Sequence, residues 1–267
     1  GGEPLIIQQN FELLQKYIDS GTAHNMELDY NTNFTSIPQR VLDQWKHFKQ
    51  VNVGRSVNDI RTKNNYIKQT SKWEQVTKNI NKLDTESSNN VNCWLTFTWQ
   101  ILNVLNVTDL IEWILEQNFY KFNRYSQSPC FTYHPVHNPL HYSVTSLPKS
   151  TKIKVEQHFK QWKEGWLRNW IDSKPEDYKM RNAEAPMQTV LGKDLKIITE
   201  WDHGRESLYN EICKGLDNMI ALMNSSDTTD ALPEFWRITK ILDASREENF
   251  EELYPVVAKD IKEYLDE

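Results

Sequence analysis

Gly1-Gly2-Glu3-Pro4 sets two glycines, a carboxylate and a proline side by side. Backbone without Cβ atoms can approach a ligand closely, and the carboxylate beside it can accept hydrogen bonds from an ammonium group. The same four residues also read as a tight turn ahead of a helix. His134, His137 and His141 bring three imidazoles together, and as neutral nitrogen donors they could ligate zinc or another transition metal. Pro135 and Pro139 interrupt that run, so it cannot present a helical i, i+4 pair, and no metal site is assigned. Asp202-His203 reads as a helix-start pair with no partner in view. Cys93, Cys130 and Cys213 lie far apart with no CxxC pair, which reads as buried structural thiols in a reducing cytoplasm. Trp162, Trp166 and Trp170 recur every four residues, either as a stacking platform or, the reading preferred here, as the aromatic stripe of a packed helix.

The elements that must position these groups follow from periodicity. Ile7, Phe11, Leu14 and Ile18 share one helical face, and Gly21 stops that helix where a left-handed cap is needed. Met26, Leu28 and Tyr30 alternate as a half-buried strand that leaves Asn31 and Asn33 near its carboxyl end. Ser36 as N-cap, Pro38 in the first turn and the apolar face of Val41, Leu42, Trp45 and Phe48 predict the next helix. "QVNVGRSVND" predicts a short strand ending in polar residues, and "SKWEQVTKNINKLD" a helix with Trp73, Val76, Ile80 and Leu83 inward. "NVNCWLTFTWQIL" is the longest strand candidate, and "VTDLIEWILEQN" the helix after it, with Thr108 as its cap. Strands alternating with helices predict βαβ units and a parallel sheet or barrel, whose ligands bind at the carboxyl ends of strands. Residues 120–150 read as a long loop with one or two short strands. From Thr151 onward the pattern is nearly all helical.

On these residues the chain resembles a known family. GGEP is similar to the motif with which radical S-adenosylmethionine enzymes hold the methionyl amino group of their cofactor. "LDYNTNFTSIP", "WKHFKQVNVGRSVND", "RTKNNYIKQTSKWEQVTKNINKLD", "LTFTWQILNV", "LIEWILEQNF" and "LDASREENFEELYP" look, in order, like successive segments of the branch called twitch domain-containing radical SAM proteins. The resemblance implies an α/β fold: a partial (β/α) TIM-like barrel of the radical SAM type over residues 1–150, then a mainly helical region over 151–267. It implies that Gly1, Gly2, Glu3 and Pro4 contact the methionine end of S-adenosylmethionine, with Asn31, Asn33 and Ser56 presenting polar groups to cofactor or substrate. The family usually reads Ser-apolar-Asp-Gly where this chain reads Ser56-Val57-Asn58-Asp59, so the ribose acceptor is either replaced by Asn58 or displaced to Asp59. Thr98, Gln100 and Asn103 either face the adenosine or are polar strand-end residues satisfied by backbone.

The implied reaction is reductive cleavage of S-adenosylmethionine at a [4Fe–4S] cluster, followed by hydrogen abstraction from a peptide or other small substrate. Such a cluster needs soft thiolate ligands, and these 267 residues contain no CxxxCxxC. The family places that loop before GGEP. The chain is therefore expected to be the carboxyl-terminal part of a longer protein, with the cluster ligands upstream, an external electron donor, and no activity alone. A cluster-less barrel acting as a binding or partner subunit is the alternative. Composition limits partners only broadly. A formal charge of -6 argues against a general nucleic-acid surface. A mean hydropathy of -0.71 and an apolar run broken by Asn, Thr and Gln argue against a membrane span.

Overall fold

In this computed structural model the described residues are 3–69, 71–117, 119, 121–122, 132–177 and 204–267. Four strands, β1 (Glu27–Thr32), β2 (Gln50–Ser56), β3 (Val91–Trp99) and β4 (Thr132–Pro135), form one sheet in the order β1-β2-β3-β4. All three pairings are parallel. Parallel neighbours need crossover connections, and helices supply them. These are α2 (Gln39–Trp45) between β1 and β2, α3 (Arg61–Ile67) and α4 (Trp73–Glu86) between β2 and β3, and α5 (Val107–Gln117) after β3. α1 (Gln8–Asp19) precedes the sheet and ends at Gly21, whose φ of 70° is the left-handed conformation that the sequence predicts.

The register gives the sheet two unlike faces. Side chains alternate along each strand, so cross-strand partners share a face. Leu28, Val51 and Val91 line up on one side, as do Tyr30, Val53 and Cys93. Helices cover that apolar side, with the Tyr30 and Trp45 rings 5.3 Å apart. The other side carries Asp29, Asn52 and Asn92 in one row, Asn31, Gly54 and Trp94 in the next, then Ser56 beside Thr96 and Thr98 beside His134. Asn52 knits the first row, donating to Asp29 Oδ1 at 2.9 Å and accepting at Oδ1 from Gln50 and Asn92 at 2.8 and 3.3 Å. Helices usually bury both faces of a parallel sheet, whereas here Asp29, Asn31 and His134 are exposed on the polar one.

The remaining elements are helical: α6 (Lys149–Trp162), a single π-helical turn (Lys163–Leu167), α7 (Arg168–Asp172), α8 (Arg205–Met223), α9 (Leu232–Arg246), α10 (Phe250–Leu253) and α11 (Pro255–Asp266). They pack on the sheet's helices through one continuous apolar core, and polar pairs fix the seam. Trp162 Nε1 donates to Glu112 Oε1 at 2.6 Å, and His158 Nε2 lies 2.8 Å from Thr108 Oγ1. Within the helical region, buried Asp260 accepts from Thr151 Oγ1 at 2.9 Å and pairs with Lys154. The indoles of Trp162, Trp166 and Trp170 stack in parallel, with centroids 5.6 and 6.2 Å apart.

Two expected caps are corrected. α2 begins at Gln39 with Pro38 as its N-cap, so Ser36 lies before the helix and makes no cap bond. α5 begins at Val107, and Thr108 sits inside its first turn with its hydroxyl turned to Leu105 O and His158. The four-strand sheet bears out an α/β fold with parallel strands followed by helices.

Candidate functional site at the carboxyl edge of the sheet

Local backbone chemistry brings the expected residues to one end of the sheet. Gly1 and Gly2 lie outside the described residues. Glu3 caps the short 3-10 turn Pro4–Ile6, accepting from Leu5 N–H at 3.3 Å, with Pro4 in the first position, where its missing N–H costs nothing. The carboxylate then reaches across to the end of β1. Its Oε1 accepts from the Thr32 hydroxyl at 2.5 Å and its Oε2 from the Asn33 N–H at 2.9 Å. Asn33 folds its own side chain into a turn, with Oδ1 accepting from Thr35 N–H at 3.1 Å and Thr35 Oγ1 at 2.8 Å. Asn31 is on the polar face, beside Gly54 and Trp94 and apart from Glu3.

The ends of β2 and β3 are bonded through Asn58. Its Oδ1 accepts from Ser56 Oγ at 3.2 Å and from Thr98 N–H at 3.1 Å. Asn103 Nδ2 donates to Asn58 O at 2.6 Å and to Thr98 O at 2.8 Å, while its Oδ1 accepts from Gln100 N–H at 2.9 Å. Gln100 completes a reciprocal capping box with Asn103 around the turn Ile101–Asn103. Of the two sequence readings for Asn103, satisfaction by backbone is the one the geometry supports. Lys68 Nζ donates to Ser56 O at 2.5 Å and brings a cation to the same edge.

Asp59 is turned inward. It is fully buried, its Oδ1 accepts from Ile60 N–H at 2.8 Å, and its Oδ2 has no partner. Burial pushes its carboxyl up to about 8, so the side chain is uncharged at neutral pH. Of the two residues named for a ribose acceptor, Asn58 thus has its Oδ1 bonded to two donors and Asp59 faces the core.

No group of three His, Cys, Asp or Glu side chains suited to a metal occurs among the described residues. Cys93 is buried in β3 and Cys213 is half-buried on α8, its thiol pushed up by burial. Cys130 and the Asp202-His203 pair lie outside the described residues. The described side chains thus do not fit an iron–sulfur cluster. They fit S-adenosylmethionine in part: Glu3 Oε2 retains an acceptor position for an ammonium group, and Asn31, Ser56 and Thr98 share the polar face.

Sequence reasoning missed Thr32, which joins Glu3 to β1, and Tyr66, Tyr142 and Arg246, which line a cavity of about 130 Å³ next to Gln100. Thr32 ends a run of alternating residues and carries no motif. The cavity residues come from four separate parts of the chain. Among the described residues no helix is long and apolar enough to cross a membrane. No family model matches the chain, and neither a curated protein nor a solved structure matches it.

Proposed function

We propose that the carboxyl edge and polar face of the sheet form part of the S-adenosylmethionine cradle of a radical enzyme, the sheet being a partial (β/α) barrel. The observation that carries this reading is the convergence of Glu3, Asn33, Ser56, Asn58, Thr98 and Gln100 at one end of four parallel strands. Glu3 and Asn33 would hold the methionyl end, with Glu3 Oε2 accepting from its ammonium group. Ser56 and Thr98 would offer hydroxyls on the polar face. When bound and reductively cleaved, the cofactor supplies a radical able to abstract hydrogen from a peptide or other small substrate. The cluster and its electron donor would come from residues outside this chain, and no step is assigned here to the side chains described.

The test is to titrate S-adenosylmethionine and S-adenosylhomocysteine into the chain by calorimetry, then to assay the full reading frame anaerobically with a chemical reductant. Binding abolished by Glu3→Gln, together with 5′-deoxyadenosine formation, supports the reading. Absence of both overturns it.

A second reading, a cluster-less binding module, is favoured by one feature. The Asn58 and Asn103 carboxamides are bonded to the strand ends themselves, so the edge is a preformed frame that needs no cofactor for its order. Binding without cleavage in the anaerobic assay would select it.

A further inference from the structure

The cavity beside Gln100 is built at the carboxyl end of β3 and closed by α9 from the helical region. Arg246, in the last turn of α9, lines it and makes no hydrogen bond or ion pair with any described residue. Three further polar side chains face the same space without a committed donor: the Gln100 amide, whose oxygen alone is used in its cap, the Tyr142 hydroxyl and the Thr239 hydroxyl. Gln100 and Thr239 are only 8% and 2% exposed, and Tyr142 and Arg246 are half-buried. Leu102 and Leu242 give the remaining wall its apolar character.

Two carboxylates lie near Arg246 without forming an ion pair with it, and the Arg246 charge favours the ionised form of Glu248. Asp243 has both oxygens occupied, Oδ1 by Tyr66 Oη at 2.8 Å and Oδ2 by Phe250 N–H at 2.9 Å. Glu248 has a buried Oε2 without a partner and forms no ion pair. The result is a guanidinium fork, an amide and hydroxyl groups lining one small volume, with no carboxylate among the lining side chains.

We propose that this cavity is a subsite for the carboxylate of a small organic acid or of a peptide's carboxyl terminus. A planar monoanion matches a single guanidinium fork, and the apolar wall suits the carbon chain attached to it. Phosphate fits less well, because Arg246 is the one cation among the lining residues. The inference goes beyond the cofactor reading and does not depend on it: the measurement needs neither cluster nor S-adenosylmethionine.

The test is calorimetric titration of the 267-residue chain with N-acetyl-L-leucine, N-acetyl-L-leucinamide and inorganic phosphate. A ligand of this size is expected to bind in the millimolar range. The acid should bind, the amide should not, and phosphate should bind more weakly than the acid. Arg246→Gln should weaken the acid by about tenfold or more, the effect of removing a charged hydrogen-bond partner. Circular dichroism checks that the variant folds. Should it not, Tyr142→Phe removes an unpartnered hydroxyl and should weaken the acid several-fold. Equal binding of acid and amide, stronger binding of phosphate, unchanged affinity in the folded variants, or no heat with the acid would each overturn the proposal.

Discussion

Tyr66 Oη donates to Asp243 Oδ1 at 2.8 Å, joining a helix of the sheet region to α9 across 177 residues of sequence. Burial and the neighbouring carboxylate push the phenol well above its ordinary range, so it remains a donor throughout the working pH range. The same carboxylate receives the first amide of α10, and Tyr254 just beyond stacks edge-on against Tyr66 with centroids 5.8 Å apart. Tyr66→Phe removes one hydroxyl and leaves Asp243 Oδ1 buried without its donor. The expected loss is about 1–3 kcal/mol, read as a lower urea midpoint with an unchanged slope. An unchanged midpoint would mean that the seam is held by packing alone.

Asp59 predicts a pH dependence of stability. Its folded pKa of about 8 lies above the ordinary carboxylate value near 3.8. Between those values the unfolded chain has released the proton and the folded chain retains it, so stability from this group falls as pH rises. The contribution is complete below pH ~4 and lost by pH ~8. Lys63 favours the charged form, and Asp109 opposes it. Asp59→Asn cannot titrate, so the gap between wild type and variant should shift in the variant's favour by a few kcal/mol from pH 5 to pH 8. Paired urea melts at the two pH values measure it, and a gap independent of pH would show that the carboxyl is solvated in the folded protein.

Gly54 predicts a steric limit on the polar face. A Cβ there would stand 2.6 Å from Asn31 Oδ1 and 2.7 Å from Trp94 Cζ2, inside contact distance on both sides. Gly54→Ala must move the Trp94 ring or the strand, and a cost of about 1–3 kcal/mol is expected. Thermal melts of the variant check this, with a changed near-ultraviolet circular dichroism signal as the sign that Trp94 has shifted.

The parts of this architecture that were legible in the sequence are those carried by period. The run from Asn92 to Trp99 sets Cys93, Leu95, Phe97 and Trp99 on one side and Asn92, Trp94, Thr96 and Thr98 on the other, and the strand it predicts is β3. Gly21 marked the end of α1 for a backbone reason that a sequence displays directly. α3 was not separated in advance, because Arg61–Ile67 has only Tyr66 and Ile67 as large apolar residues and is ordered by tertiary contacts. The strand-end polar residues could be named from the sequence, but their bonds could not. Asn58 binds Thr98 across 40 positions, and Glu3 meets Thr32 across 29, so both depend on register. The Arg246 cavity was illegible for the same reason: its donors meet only when α9 closes over the end of β3.

Glu3 gives the last prediction, and it separates scaffold from ligand site. The carboxylate receives Leu5 N–H and Thr32 Oγ1 on one oxygen and Asn33 N–H on the other. In Glu3→Gln one oxygen becomes an amide nitrogen, and either rotamer turns its N–H groups toward a backbone N–H that needs an acceptor. A stability loss of about 1–3 kcal/mol is expected from the mismatch, whatever the edge binds. Thr32→Val removes the hydroxyl that pairs with Oε1 and leaves Oε2 with its remaining acceptor position. If the edge holds an ammonium group, Glu3→Gln should abolish S-adenosylmethionine binding while Thr32→Val retains it at similar affinity despite a comparable drop in melting temperature. Parallel loss of binding in both variants would assign Glu3 to the frame of the sheet and leave the cofactor reading without its anchor.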